Sequence, residues 1–376
     1  MKKILHISNY LYPHIGGIEQ VARDCMNSLK DEYEQKVICF NSDKKTIVDE
    51  VDGIEVTRPG SFIKVASQSL SLSYKKHLKR IMKRYQPDIV IFHYPNPFVG
   101  HFLCKYLKRK KFKFILWWHL DITKQKLLGK LFKRQNKKLL KYADRIVATS
   151  PNYIEGSRYL SENKSKCVVI PCCISENRLH YDETHLLRAK QIKEELQGKT
   201  LCFAFGRHVE YKGLTYLIKA SKLLSEEFAI RIGGVGPLTD ALKAEANQDN
   251  KIQFLGKLSD DELKAYLLAC DIFCFPSITK NEAFGIGLAE AMYYGNPAIT
   301  FNIPGSGVNF VSIKDVTGLE AKNGDAKDYA DKIQQLASNS EIQNKFAQAA
   351  KQRTEEMFLY STFVENVKKL VRELNI

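Results

Sequence analysis

"CDIFCFPSITKNEAFGIGLAEAMYYGNPAITF", Cys270 to Phe301, holds two short apolar runs separated by a polar loop and a glycine-broken helical stretch. The runs "DIFCF" and "PAITF" have strand length and strand composition, while "GIGLAEAMYYG" is apolar at helical spacing. A strand, a helix and a second strand in this order form a βαβ unit, whose crossover is right-handed and whose strands are parallel. The alternation extends upstream. "TLCFAFGR", "FAIRIGGVG" and "KIQFLGKL" read as strands, and "GLTYLIKASKLLSEE", "PLTDALKAEAN" and "SDDELKAYLLA" as the helices between them.

The first part of the chain repeats the pattern. Strands "KKILHISNY", "QKVICF", "PDIVIFHYP", "FKFILWWHL" and "DRIVATS" alternate with helices "GIEQVARDCMNSLKDEY", "SLSLSYKKHLKRIMKRY", "HFLCKYLKRKK" and "KLLGKLFKRQNKKLLKYA". A polar, strand-poor segment, residues 175–199, separates the two series. The expected fold is α/β: two Rossmann-like domains, 1–180 and 181–359, facing each other across a cleft. The last helix, residues 360–376, is expected to return to the first domain.

At 376 residues the chain suits two domains, and 44% hydrophobic residues supply their cores. The start "MKKILHISNY" has no signal-peptide core. The run "FILWWHL" is far short of the roughly 20 residues that span a bilayer. A cytoplasmic protein is expected, either free or resting on the membrane's inner face. The nine cysteines show neither zinc-site nor redox spacing and read as buried thiols. The net charge of +16 is concentrated between Tyr74 and Arg145, where only Asp88, Asp121 and Asp144 oppose a long series of lysines and arginines. Such a patch attracts phosphate, and an anionic membrane surface is the expected partner. Leu127, Leu128, Leu131, Phe132, Leu139 and Leu140 would be apolar anchors among these cations; the plainer alternative is an amphipathic helix packed on the sheet. Nucleic acid is not expected, because no recognition motif accompanies the charge.

Five segments lie where strands give way to helices. Gly16-Gly17 precedes the first helix and leaves backbone N–H groups open to a phosphate or sugar, or simply makes a tight loop. Arg207 and Lys212 flank the start of another helix, where cations are disfavoured unless an anion is bound; together they suit a diphosphate. Gly234 and Gly236 lie in a loop without dinucleotide-fingerprint spacing, so a nucleotide contact and a tight turn stand level. Glu282 lies in the loop and Glu290 in the second turn of the following helix, with seven residues between them, so they bracket the N–H groups of a helix start. His119, in "WWHLD", follows a strand and is either a ligand contact or a satisfied core histidine.

Taken together, the Gly-Gly loop, the strand-end histidine, "GR…KG", "GxG" and E-x7-E resemble the retaining glycosyltransferases of family GT4, which have the GT-B fold. The resemblance covers nearly the whole chain, and "GSGVNFV" (residues 305–311) is shared with bacterial surface-polysaccharide members. It implies transfer of a hexose from a UDP- or GDP-linked sugar to a glycan or lipid-linked acceptor. Arg207 and Lys212 would hold the diphosphate, Glu290 the ribose, and Glu282 the hexose hydroxyls. Backbone groups of Ala283, Phe284 and Gly285 would contact sugar and phosphate, Gly16 and Gly17 the donor phosphate and acceptor. His119 would sit near the transferred sugar. No metal and no cofactor beyond the co-substrate is implied, in keeping with a sequence that lacks an Asp-x-Asp triplet. Two other readings compete: a sugar-nucleotide epimerase of the same fold, and a basic membrane- or nucleic-acid-binding protein on an α/β scaffold.

Overall fold

The computed structural model describes residues 1–14, 16–65, 68–122 and 126–374, with side chains for all of these except 65, 68 and 126–131. The chain divides into two compact units, Met1–Cys172 with Ser361–Ile376, and Cys173–Tyr360. The division falls at Cys172–Cys173 rather than at 180–181, so the short helix Glu176–Leu179 belongs to the second unit.

The first unit contains β1 (Lys3–Ile7), β2 (Glu34–Ile38), β3 (Ile47–Val51), β4 (Ile54–Arg58), β5 (Ile63–Val65), β6 (Gln68–Leu70), β7 (Ile89–Tyr94), β8 (Lys113–Trp118), β9 (Arg145–Ala148) and β10 (Cys167–Val169). Apart from the β5–β6 hairpin, they form one sheet in the order β10-β9-β8-β7-β1-β2-β4-β3. Its centre is parallel, and every residue of β7 is buried, as befits a strand covered on both faces. The sequence reading lacked β3 and β4. They pair antiparallel around Asp52-Gly53, both at positive φ, the turn chemistry of a two-residue hairpin.

The register pairs His6 with Ile91 and His93 with Trp117. Because side chains alternate along a strand, His6, His93 and Trp117 share one face. The helix Tyr360–Arg372 packs within this unit through Phe363, whose ring centroid lies 6.0 Å from that of Trp117. Lys368 and Arg372 both reach Glu32, at 2.9 and 3.0 Å.

The second unit contains β11 (Thr200–Phe205), β12 (Phe228–Gly233), β13 (Ile252–Gly256), β14 (Ile272–Phe275), β15 (Ala298–Phe301) and β16 (Gly318–Ala321). All are parallel, in the order β13-β12-β11-β14-β15-β16. The strand order reverses between β11 and β14, and ligands of doubly wound sheets bind at the carboxyl ends of strands at such a switch point. The segment read as strand-poor contains the helix Glu183–Glu195, capped by Asp182, whose carboxylate accepts from the N–H groups of Thr184 and His185. Among the described residues, no helix is long and apolar enough to cross a membrane.

Candidate active site

At the switch point β11 runs into Gly206, whose φ of +145 suits glycine, and then into the exposed Arg207. A short 3-10 turn, Glu210–Lys212, leads to Gly213 at φ +62 and the helix Leu214–Ser221. A Cβ at Gly213 would stand 2.1 Å from the carbonyl oxygen of Pro276, so the loops after β11 and β14 touch backbone to backbone. The Ile278 N–H donates to Tyr211 O at 2.9 Å and ties the same two loops together.

This contact brings Lys212 to Glu282. Their Nζ and Oε2 atoms are 2.5 Å apart, with the side chains 17% and 12% exposed. Lys212 also lies 4.8 Å from the centroid of the Phe275 ring. Ser277 Oγ donates to Glu282 Oε2 at 3.2 Å, and Ser306 Oγ donates to Glu282 O at 2.6 Å. Arg207 and Lys212 line a small cavity with Phe205, Phe275 and Ser277. The carboxylate and ammonium that the sequence assigns to a sugar and a phosphate are thus adjacent, and each neutralises the other.

The helix Ile286–Tyr293 begins at Gly285, φ +97, and the N–H groups of Leu288 and Ala289 return to Gly285 O. The Phe284 side chain is buried against Phe358, with ring centroids 5.3 Å apart. Ala283 O is crossed closely by Gly307, where a Cβ would stand 2.1 Å away.

Glu290 is 7% exposed and ion-paired to Arg178, which also meets Asp260 at 3.1 Å. Burial pushes the Glu290 carboxyl above its ordinary value, against the pull of Arg178. Burial likewise opposes the Arg178 charge, but Glu290 and Asp260 outweigh it and hold its pKa up. Arg178 was not foreseen. It lies 112 residues from Glu290 in sequence, in a segment without any local signal.

Gly234 and Gly236 are explained by the loops themselves. Cβ atoms there would stand 1.9 Å from Gly206 O and 2.5 Å from His208 O. In the first unit Gly16 is the extended residue before the helix Gly17–Leu29, and a Cβ on it would meet the Glu19 carboxylate. His119 is 4% exposed and its Nε2 pairs with His93 Nδ1 at 3.1 Å. Burial pulls its pKa down to about 3, so the ring is neutral at neutral pH and can act only as a hydrogen-bonding or lone-pair group.

The cationic stretch divides by face. On the helix Tyr74–Arg84 the lysines and arginines are exposed while Tyr74, Leu78 and Ile81 are buried. On the helix Lys126–Tyr142, Leu139 and Leu140 are buried at 0% and 3% exposure. This corrects the expectation that they anchor a membrane: their apolar surface is already used by the fold. The side chains of Leu127, Leu128 and Leu131 lie outside those described.

Residues 15–178 match the model of Glycosyltransferase Family 4, and residues 188–353 that of Glycosyl transferases group 1. The O-antigen chain mannosyltransferase C of Escherichia coli is 29% identical, covering 97% of this chain and 99% of that protein. The D-rhamnosyltransferase WbpZ of Pseudomonas aeruginosa is 32% identical over 84% of this chain and 82% of its own. In fold the chain is similar to Anabaena HepE, crystallised with UDP-glucose, at a TM-score of 0.77 and 15% identity over 99% of this chain and 100% of that one. Family models that match both halves, a 32%-identical relative and two α/β sheets with parallel centres place the chain in family GT4, as a glycosyltransferase with the GT-B fold.

Proposed function

We propose that this glycosyltransferase moves a hexose from a nucleoside-diphosphate sugar to a glycan or lipid-linked acceptor in surface-polysaccharide synthesis, with retention of configuration. The observation that carries the reading is the Lys212–Glu282 pair at the β11/β14 switch point, beside Arg207. Two cations and a helix start suit a diphosphate, and a carboxylate beside them suits sugar hydroxyls. The acceptor class is supported by the relatives named for O-antigen mannose and D-rhamnose transfer, and the nucleotide by the fold neighbour that holds UDP-glucose.

In this reading a bound donor parts the ion pair. Lys212 turns to the phosphate, where it stabilises the leaving charge together with Arg207, and Glu282 turns to the hexose. A retaining hydrolase sets two carboxylates about 5 Å apart around the anomeric carbon. Glu290 is held instead by Arg178, so neither glutamate has to act as nucleophile. The departing phosphate oxygen then takes the acceptor proton on the same face, without a metal or a further cofactor. The cationic faces of the helices Tyr74–Arg84 and Lys126–Tyr142 are proposed to rest on anionic lipid by charge alone.

A panel of UDP- and GDP-sugars screened for thermal stabilisation, then for transfer, tests the reading. At least one should raise the melting temperature, and Lys212→Ala or Glu282→Ala should lower transfer by about 10²–10³-fold. A chain that no nucleotide sugar stabilises would overturn it. Flotation with anionic but not neutral liposomes is expected for the membrane contact, and equal binding to both sinks that part.

A further inference from the structure

The face of the first sheet that meets the helix Gly17–Leu29 is polar at one point. His6 on β1 and Cys25 on that helix are both 0% exposed, and His93 on β7 is 1% exposed. Each offers one potential ligand atom, and the three atoms lie within 4.8 Å of one another. The three residues are 6, 25 and 93 in sequence, a spacing in which no metal motif is legible.

The hydrogen bonds around the cluster decide which atoms are left over. Gln35 donates its amide to Met26 O at 3.0 Å, which turns its carbonyl oxygen, a pure acceptor, toward His6 Nε2 at 2.7 Å. His6 therefore carries its proton on Nε2, and Nδ1 is a bare lone pair. His93 uses Nδ1 in its contact with His119 Nε2. His6 Nδ1 and His93 Nε2 are both buried without a hydrogen-bond partner. Two such orphans are costly to bury unless something occupies the space between them.

We infer that His6 Nδ1, Cys25 Sγ and His93 Nε2 form a binding site for one zinc-type cation. Two imidazoles and a thiolate suit such an ion, and three protein ligands leave a fourth tetrahedral position for water. Gln35 and His119 are the outer groups that orient the two imidazoles, an arrangement usual around metal-ligating histidines. Binding is balanced by loss of the Cys25 thiol proton to solvent: one Zn2+ enters and one proton leaves. The ion would pin β1, β7 and the helix Gly17–Leu29 together and, through His93, fix the ring of His119. The site lies in the first unit, whereas Arg207 and Lys212 lie in the second, and the ion takes no part in the proposed transfer step itself.

The test uses the full chain, stripped with chelator and titrated with Co2+ and then Zn2+. One equivalent of Co2+ should bind with a thiolate-to-metal charge-transfer band and be displaced by one equivalent of Zn2+, which should raise the melting temperature. Cys25→Ser should abolish the band, and Gln35→Leu should weaken binding about 10-fold. Absence of stoichiometric uptake, or an unchanged band in Cys25→Ser, overturns the inference; the first result leaves a buried water as the occupant. If Cys25→Ser does not fold by circular dichroism, X-ray absorption of the zinc-loaded wild type decides. One sulfur and two imidazole nitrogens support the site, and any other protein ligand set overturns it.

Discussion

Arg178 shows most clearly how the second unit is organised at the scale of single residues. Its guanidinium bridges the nearly buried Glu290 and the exposed Asp260. Without it the Glu290 carboxylate would be left buried and unpaired, which is the costly way to break such a pair. Arg178 itself is about one-third exposed, so the cost is discounted. Arg178→Ala should destabilise the chain by about 1–3 kcal/mol in urea denaturation. Adding Glu290→Gln to that variant should recover part of the loss, because a neutral amide does not need the guanidinium. If the double variant is no more stable than Arg178→Ala alone, the pairing assigned here is wrong.

At the scale of elements, the site depends on two loops that meet through glycine. Gly213 combines a left-handed backbone with a carbonyl only 2.1 Å from where a Cβ would sit. Gly213→Ala therefore meets both backbone strain, about 1–3 kcal/mol, and a clash that only movement of the Pro276 backbone can relieve. That movement displaces Ser277 and separates Lys212 from Glu282. The expected result is a lower melting temperature together with a rise in KM for the donor. Gly53→Ala, also at positive φ but with nothing within 4 Å of its Cβ, should lower stability without changing KM. Equal effects of the two variants on KM would sink the argument that the loop contact shapes the site.

For the whole molecule, the buried histidines of the first unit make stability depend on pH. Burial lowers His6 to about 4 and His119 to about 3, while the unfolded chain titrates near the ordinary value of about 6.5. Their contribution is fully present above about pH 6.5 and is lost as pH falls through the folded values, because the unfolded state binds protons that the folded state refuses. Denaturation of the metal-stripped chain should show stability level above pH 6.5 and falling below it, by about 1.4 kcal/mol per pH unit for each histidine. His119→Gln should reduce that slope by one histidine's share. An unchanged slope would show that His119 is not buried neutral. Glu290, raised by burial, acts in the opposite sense: its contribution is present below the ordinary carboxylate value and is lost as pH rises.

The βαβ alternation, the parallel core of each sheet, the positions of Arg207, Lys212 and Glu282 between strand and helix, and that of Glu290 in the second helical turn were all legible in the sequence, because hydrophobic periodicity and glycine placement are local signals. The β3–β4 hairpin has a local signal too, the Asp-Gly turn in "VDGI". Other features had no local signal. Nothing near Glu290 points to Arg178, and nothing near Gly234 says that its small size answers to the Gly206 carbonyl rather than to a ligand. Nor does the sequence say that Leu139 and Leu140 spend their apolar surface inside the fold. The sequence by itself determined which residues form strands and helices and where those helices start, since that depends on neighbours a few positions away. Only the tertiary structure decided which charges pair and which lone pairs are stranded. Lys212 meets Glu282, and His6, Cys25 and His93 converge, through strand register and loop contact between segments far apart in the chain.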